Sequence, residues 1–388
     1  MKVTHKTRGS STVVARGSCN KLAAAVLSLF LLAAAQAQAP GLAPAAVGPA
    51  GSPQAPGHAP APAPASAAAG PAASPSPSPA GGYNISQDSG SPPAAPSTPG
   101  LPWELLFIDD FQGDALDQSK WNYVLGDGST YGLHGFSNGE VQWYTSDPSN
   151  VRVEGDCLVL QAQQADASNP WSATSGRVST LDKFSIAPSA QFGTVRIEAR
   201  MKVPRGSALW PAFWLLPQVG AWMQSTCLGC GAYGNWAASG EIDVAEAAND
   251  MTSVQGTIHY GGLYPANVQS HGSVYLPPNT SLADDFHVYA IEWEASQIRW
   301  YLDGYNYYTA YSAAISPPGS GWYTTAQGAG PNAPFDLPFY LILNLAVGGP
   351  QTVFTGCAPL GTTLNQPQQL FVDWVRVHGL PWALSQHQ

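Results

Sequence analysis

Three carboxylates lie within six positions of the segment EIDVAEAAND, residues 241–250, at Glu241, Asp243 and Glu246. Side chains alternate between the faces of a strand, so Glu241 and Asp243 would share a face and Glu246 would point away. Offsets of two and five residues fit one face of a helix no better. Two carboxyl groups about 5–5.5 Å apart can serve as nucleophile and acid/base of a retaining glycosidase. That chemistry requires a device that turns Glu246 toward the other two acids.

A β-bulge is such a device, because one extra residue between Asp243 and Glu246 resets the alternation and points all three acids at one cleft. Ile242 and Val244 are apolar, which indicates a central strand. Like charges in a cleft shift one another's pKa, so Asp243 would help to keep Glu246 protonated. The alternative interpretation is a solvated edge whose acids have no joint function.

Strand patterns dominate the chain after residue 100. The segment TVRIEARMKV, residues 194–203, alternates strictly between apolar and polar residues and predicts a half-buried antiparallel strand. WEASQIRWYLDG, residues 293–304, predicts a hairpin, and further β-type runs are separated by Gly, Pro, Asn and Asp. No sustained helical periodicity accompanies them. The predicted fold is all-β, a two-sheet β-jelly-roll sandwich.

The chain divides into segments of different composition. Residues 1–37 combine a basic start, an apolar run and a small-residue AQA site, which predicts a secretory signal peptide or, alternatively, an organelle transit peptide. Residues 38–100, rich in Pro, Ala, Gly and Ser, predict a disordered linker. All 13 Trp follow residue 100, so the folded domain is placed at residues 101–382, with a tail at 383–388.

The charge of the folded part excludes some partners. Asp88 is the sole acid before residue 101 and five of the 15 Lys and Arg lie there, so residues 101–388 carry 24 acids against 10 bases. A net charge of −14 disfavours nucleic acid, anionic membranes and sulfated polysaccharides, and leaves neutral polysaccharides as ligands. The apolar run at residues 22–35 is too short for a comfortable membrane span.

Four cysteines remain after the predicted signal, Cys157, Cys227, Cys230 and Cys357, and an even number in a secreted chain predicts two disulfides. Three pairings are possible, and we expect one disulfide to close the 227–230 loop. CLGC could also be a redox pair or half of a zinc site, but no second CxxC is present.

Aromatic residues occur in polar, loop-like contexts, where flat rings could stack on the C–H faces of sugars. The set comprises Trp143, Tyr144, Trp222, Trp236, Trp322 and Tyr323. The alternative is that most of these rings fill the core. Trp210, Trp214 and Trp236 stand apart because they closely precede the acidic segment.

The segment SGEIDVAEAAND resembles the bulged catalytic strand of the laminarinase-like members of glycoside hydrolase family 16. The resemblance covers residues 103–379 and includes, in order, the segments WELLFIDDFQGDALDQSKW, NGEVQWYT, SGRVST, FGTVRIEARMKVPRG, LWPAFWLLP, FHVYAIEWEASQIRWYLDG, PFYLILNLAVGG and VDWVRVHG. It implies a jelly-roll with a concave cleft and double-displacement hydrolysis of internal β-glycosidic bonds. Unbulged relatives, the lichenases and xyloglucan-active enzymes, resemble ExDxE, so the spacing here argues against their substrates. Agar- and carrageenan-active relatives can share the bulge, and the scarcity of Lys and Arg then favours a neutral β-1,3-glucan such as laminarin or callose.

The resemblance implies roles at matching positions. Glu241 is the nucleophile, Glu246 the acid/base and Asp243 the assisting residue. Further expected substrate contacts are the aromatic residues Trp210, Trp214 and Trp236 and the polar residues Asn138 and Glu140. His259 would either contact the leaving-side sugar or have a purely structural role. Ala237 stands where many members have Pro, which leaves open whether mixed β-1,3/1,4 linkages are accepted.

No cofactor is expected for catalysis. Several relatives bind a structural calcium on the convex side, and the matching positions are Asp110, the Gly155 carbonyl and Asp373. An Asp at a strand end can equally cap it without metal. We expect a monomer. The alternatives to hydrolysis are a β-glucan transglycosylase of wall remodelling and a non-catalytic β-glucan recognition protein, although such proteins typically lack one of the acids.

Overall fold

The computed structural model describes residues 102–169, 171–219, 226–349 and 363–385. The predicted signal or transit peptide at 1–37 and the linker at 38–100 lie outside these ranges. Within them, no helix has the length and apolarity needed to cross a membrane.

Strands account for nearly all regular structure. They are β1 (Glu104–Asp109), β2 (Asn122–Tyr123), β3 (Gln142–Tyr144), β4 (Val151–Glu154), β5 (Cys157–Gln164), β6 (Ala173–Ser175), β7 (Arg177–Ser179), β8 (Ser185–Ile186), β9 (Phe192–Lys202), β10 (Leu209–Pro217), β11 (Glu241–Glu246), β12 (Ser253–Gly261), β13 (Asn267–Tyr275), β14 (His287–Glu294), β15 (Gln297–Leu302), β16 (Tyr305–Tyr311), β17 (Phe339–Val347) and β18 (Gln368–Pro381). The helices within the described residues are short: three 3₁₀ turns at Ser129–Tyr131, His134–Ser137 and Thr363–Asn365, and one α-helix, α1 (Trp382–Ser385).

The strands form two sheets. The first has ten strands in the order β16-β15-β14-β9-β18-β5-β6-β3, with β1 paired to β18 and β4 to β5. The second has eight strands in the order β13-β12-β11-β10-β17-β7-β2, with β8 paired to β17. β14 and β15 form the predicted antiparallel hairpin. The prediction of an all-β two-sheet sandwich is confirmed.

The core lies between the sheets and takes most of the large apolar side chains. Trp121, Trp293, Trp300 and Trp322 are fully buried. The loop-like aromatics divide between core and surface, since Tyr144 and Trp322 are fully buried whereas Trp143 is 54% exposed.

One expectation about the first sheet is wrong. Alternation in β9 predicts one exposed face, yet its polar residues Arg196 and Glu198 are buried as deeply as the apolar ones. β9 is central in its sheet, between β14 and β18. Arg196 donates to Glu198 Oε2 and to Glu292 Oε1, both at 3.1 Å. Charges that pair across neighbouring strands can be covered, which a single strand's alternation does not reveal.

The structure bears on the cysteines and on the end of the domain. Cys227 and Cys230 form the predicted disulfide. Among the described cysteines Cys157 has no disulfide partner, and Cys357 lies outside the described residues.

At the C-terminal end of the domain, the Trp382 amide donates to Gln191 O, so α1 continues the fold to Ser385, beyond the boundary placed at 382.

Candidate active site

The acidic segment forms β11, and its register contains the predicted bulge. Asp243 pairs with Thr257 and Glu246 with Gln255 on β12, so Val244 and Ala245 together face the single residue between them. Ile242, Val244 and Ala245 belong to the hydrophobic core, which places the acids on the opposite, cleft-facing side. The β-bulge inferred from the ExDxxE spacing is confirmed.

Each of the two glutamates accepts a hydrogen bond from an indole. Trp236, in the loop before β11, donates Nε1–H to Glu241 Oε2 at 3.0 Å. Trp210, on the neighbouring strand β10, donates Nε1–H to Glu246 Oε1 at 2.9 Å. Both donors are neutral, so they orient the carboxyl groups without cancelling their charge.

His259 joins the acidic cluster through strand pairing, because it lies directly opposite Glu241 on β12. Its Nε2 is 3.3 Å from Asp243 Oδ2 and 3.7 Å from Glu241 Oε1. Its ring lies 5.4 Å from the Trp236 ring. The His259 side chain is therefore part of the acidic site, while its predicted contact with a leaving-side sugar remains a prediction.

Burial changes the proton affinity of all three acids. Burial, followed by the neighbouring Asp243 charge, raises the pKa of Glu241 to about 8 and that of Glu246 to about 8. Burial alone raises the pKa of Asp243 to about 8. Such carboxyls cannot all be ionised near neutral pH, so the cluster retains at least one proton there. Asp243 Oδ2 is buried and forms no aligned hydrogen bond, even to His259 Nε2 at 3.3 Å, which makes Asp243 a favourable place for a retained proton.

The polar residues expected in the cleft form a connected group near Glu246. Asn138 donates to Glu140 Oε1 at 3.1 Å and Gln142 donates to Glu140 Oε2 at 2.6 Å. Burial raises the pKa of Glu140, and its charge adds to the raised pKa of Glu246. The structure thus brings Asn138 and Glu140 together beside the acidic site, and their contact with sugar remains a prediction.

Trp214 lies on β10 on the same face as Trp210, but its polar end is already engaged. Its Nε1–H donates to Asn344 Oδ1 at 2.6 Å, and the Arg177 guanidinium lies 4.8 Å from the ring centroid. Trp214 and Trp236 both pack against a small cluster formed by Leu216, Tyr340 and Ile342. A sugar could therefore stack only on the Trp214 face that Arg177 leaves uncovered.

Three polar residues of this site were missed by the sequence reasoning: Arg177, Asn344 and Gln142. Arg177 is buried and its charge lowers the pKa of Glu140. Asn344 is the lone polar residue in the apolar strand FYLILNLAV, which is a signal that the pattern offered. Gln142 accepts from the Val347 amide at 2.7 Å and so ties the Glu140 segment to β17.

The predicted calcium ligands lie at one end of the first sheet. Asp373 is on β18, Asp110 follows β1, which pairs with β18, and Gly155 is in the turn between β4 and β5. Arg200 Nη1 donates to Asp373 Oδ2 at 2.5 Å. A calcium ion would have to share that carboxylate with a guanidinium, so the donor set fits calcium poorly and the site remains a prediction.

A second group with ligand chemistry lies in the cleft. Glu241, Asp243 and His259 bring three candidate ligand atoms within 4.8 Å of one another. Paired carboxyls suffice for glycoside hydrolysis without a metal, so the predicted chemistry of this group does not require one.

The chain is similar to known proteins of one family. A family model for Glycosyl hydrolases family 16 matches residues 138–319. Glucan endo-1,3-beta-glucosidase A1 of Niallia circulans is 40% identical over 301 residues, covering 74% of this chain and 39% of that protein. Beta-glucanase of Rhodothermus marinus is 34% identical over 284 residues, covering 71% of this chain and 85% of that protein. The X-ray structure of endo-beta-1,3-glucanase from Pyrococcus furiosus is 31% identical, with a TM-score of 0.57, covering 72% of this chain and 96% of that chain.

A two-sheet jelly-roll with paired carboxyls on a bulged strand defines a glycoside hydrolase. The chain belongs to glycosyl hydrolases family 16, as its ordered motifs predicted. It spans only 39% of the length of the Niallia circulans relative, and 85% of the Rhodothermus marinus one.

Proposed function

We propose that this protein is a retaining endo-β-1,3-glucanase that acts on a neutral β-glucan. The observation that carries the proposal is the bulge in β11, which places Glu241 and Glu246 on one face, each with an indole donor on its carboxyl group. The names of the relatives from Niallia circulans and Pyrococcus furiosus support the β-1,3 linkage for this chain.

In the proposed reaction Glu241 attacks the anomeric carbon while Glu246 gives its proton to the departing glycosidic oxygen. A covalent glycosyl-enzyme forms and the leaving sugar departs. Glu246, now ionised, then takes a proton from water as that water attacks the same carbon and releases Glu241. Two displacements preserve the β configuration. The raised pKa of Glu246 suits the acid role in the first step.

Asp243 and His259 set the charge of the nucleophile in this scheme. A proton on Asp243 limits repulsion with Glu241 as the nucleophile ionises. His259 Nε2, within 3.7 Å of Glu241 Oε1, stabilises the ionised form by its charge. Trp236 supplies a hydrogen bond to the same carboxylate.

The substrate class follows from charge. With a net charge of −14 over residues 101–388, the domain has few cations to neutralise sulfate esters. We therefore place laminarin-like glucans ahead of sulfated galactans, and acceptance of mixed β-1,3/1,4 linkages is part of the proposal. The basic and apolar N-terminal segment supports secretion, and we propose that the domain acts as an extracellular monomer.

The direct test is incubation of the purified chain with laminarin, followed by reducing-end assay and sizing of the products. Short oligosaccharides with new reducing ends are expected. Redistribution of chain lengths without new reducing ends would instead indicate transglycosylation. Binding without any change in the polysaccharide would contradict the enzyme assignment and indicate a recognition protein.

A further inference from the structure

The bulge leaves a backbone carbonyl facing the core. Asp243 O accepts a hydrogen bond of 2.8 Å from Nε1–H of Trp300. Trp300 is on β15 of the other sheet and is fully buried. A buried carbonyl without a donor is strongly unfavourable, so this bond stabilises the turned Asp243 peptide.

Two paired glycines give the indole access to that carbonyl. Gly256 is the β12 residue that faces the bulge, and a Cβ there would collide with the Trp300 ring, lying 2.5 Å from Nε1. Gly272 pairs with Gly256 on β13, and a Cβ there would collide with Tyr308. The Trp300 and Tyr308 rings lie 5.0 Å apart above this glycine pair. Both positions therefore require glycine, because the Trp300 and Tyr308 rings pack directly against their backbone.

We propose that Trp300 is a positioning residue for catalysis, which holds the β11 bulge through the Asp243 carbonyl and so keeps Asp243 and Glu246 on the cleft face. The inference rests on the proposed function. A strand without the bulge would point Glu246 into the core, since side chains alternate with period 2. Trp300 lies on the core side of β11, opposite the acids, and acts only through the backbone.

The chain offers a matched control in Trp293. This residue is also fully buried, lies on the adjacent strand β14, and its Nε1 has no hydrogen-bond partner. Trp300→Phe and Trp293→Phe both shrink a core indole to a phenyl ring. Only Trp300→Phe removes a donor from the bulge. Comparing the two variants separates loss of packing from loss of positioning.

We expect Trp300→Phe to lower kcat on laminarin by about 10- to 100-fold with a much smaller change in KM, because misplaced reacting groups slow the chemical step. We expect Trp293→Phe to keep kcat within about 3-fold, since it disturbs no group of the site. The alkaline limb of the pH profile should shift in Trp300→Phe alone, because the burial of Glu246 and its distance from Asp243, which together set its pKa, both depend on the bulge. Equal kcat and equal pH profiles in the two variants would overturn the proposal.

Crystal structures of both variants test whether Trp300 holds the bulge, with no need for an activity measurement. Retention of the bulge in Trp293→Phe and its loss in Trp300→Phe would support the proposal even if the chain cleaves no β-glucan, in which case only the proposed function fails. An unchanged Asp243–Glu246 register in Trp300→Phe would overturn it. If Trp300→Phe does not fold, Gly256→Ala gives the same comparison, because its added methyl group displaces the indole. A normal kcat in that variant would also overturn the proposal.

Discussion

Two groups of buried acids in this molecule have different partners for their carboxylates. On the first sheet, Glu198 and Glu292 both accept from Arg196, and Arg299 contacts Glu292 at 3.2 Å. On the second sheet, Glu241 and Glu246 accept from the neutral indoles of Trp236 and Trp210. Among the described residues no Lys or Arg forms an ion pair with Glu241, Asp243 or Glu246.

The difference separates a structural use of buried charge from a chemical one. Guanidinium groups neutralise the acids of the first sheet and fix their geometry, so removing one partner leaves an unpaired buried charge. Buried carboxyls without a Lys or Arg partner hold a proton to higher pH, and burial is the main cause of the raised pKa of Glu246. The second group can therefore give and take protons near neutral pH, and it is there that we place the chemistry.

The largest effects are expected from removing the cleft carboxyls. Glu246→Ala should lower kcat/KM on laminarin by about 10²–10⁴-fold, the usual contribution of a general acid, and Glu241→Ala by at least as much. Thermal unfolding should show both variants folded. Azide separates the two roles, measured with an aryl β-glucoside whose leaving group needs no acid. In Glu241→Ala azide replaces the nucleophile and gives an α-glycosyl azide. In Glu246→Ala it attacks the glycosyl-enzyme and gives the β product. The reverse pattern would exchange the assignments.

Substitution of the buried acids of the first sheet should lower the free energy of unfolding and leave kcat unchanged. Glu292→Ala leaves the Arg196 guanidinium buried with fewer partners, and we expect the free energy of unfolding to fall by about 3–5 kcal/mol. Arg205→Ala is the control, because its ion pair with Asp284 is more than half exposed on both sides and contributes about 0–1 kcal/mol. Urea denaturation measures both. A kcat for Glu292→Ala far below that of the natural chain would contradict the separation of the two regions.

The pH dependence of stability should reveal the unpaired acids. Burial raises the pKa of Asp243 from 3.8 to about 8, so the folded state holds a proton that the unfolded chain has released. The free energy of unfolding should therefore decline as pH rises from about 4 to 8, on the order of 5 kcal/mol for such a group, since each pH unit between the two pKa values is worth about 1.4 kcal/mol. Asp243→Asn should flatten that decline, and Asp114→Asn, at an exposed position, should not. Parallel curves for all three proteins would contradict the buried charge.

The smallest expected effect concerns a single indole donor. The Trp210 hydrogen bond lowers the pKa of Glu246, so Trp210→Phe should raise that pKa and move the alkaline limb of activity to higher pH. We expect a shift of about 1–2 pH units, since one hydrogen bond to a charged group is worth about 1.5–3 kcal/mol net. The kcat/KM profile measures it. A shift to lower pH would contradict the sign of this interaction.

Local patterns foretold much of this structure. Three acids at ExDxxE spacing with apolar Ile242 and Val244 between them suffice to predict the bulge, because register rules are local. The β14–β15 hairpin follows from two β runs and a short turn. Both predictions depend on neighbours in sequence.

The features that could not be predicted from the sequence depend on contacts between residues that are distant along the chain. Arg196 is buried because Glu292 comes from a strand 96 positions away. Trp300 reaches Asp243 O from 57 positions away, across the core, through the gap at Gly256. No window of one strand contains such a pairing, so alternation misjudged β9 and gave no role to Trp300.

Double displacement requires Glu241 and Glu246 to flank one glycosidic bond at about 5–5.5 Å, and not at the wider separation of about 6.5–9.5 Å found in inverting enzymes. NMR of a laminarin digest in its first minutes, before mutarotation, tests this directly. Reducing ends that first appear as the β-anomer are the expected result. An initial α-anomer would contradict the double displacement and with it the roles given to the two glutamates.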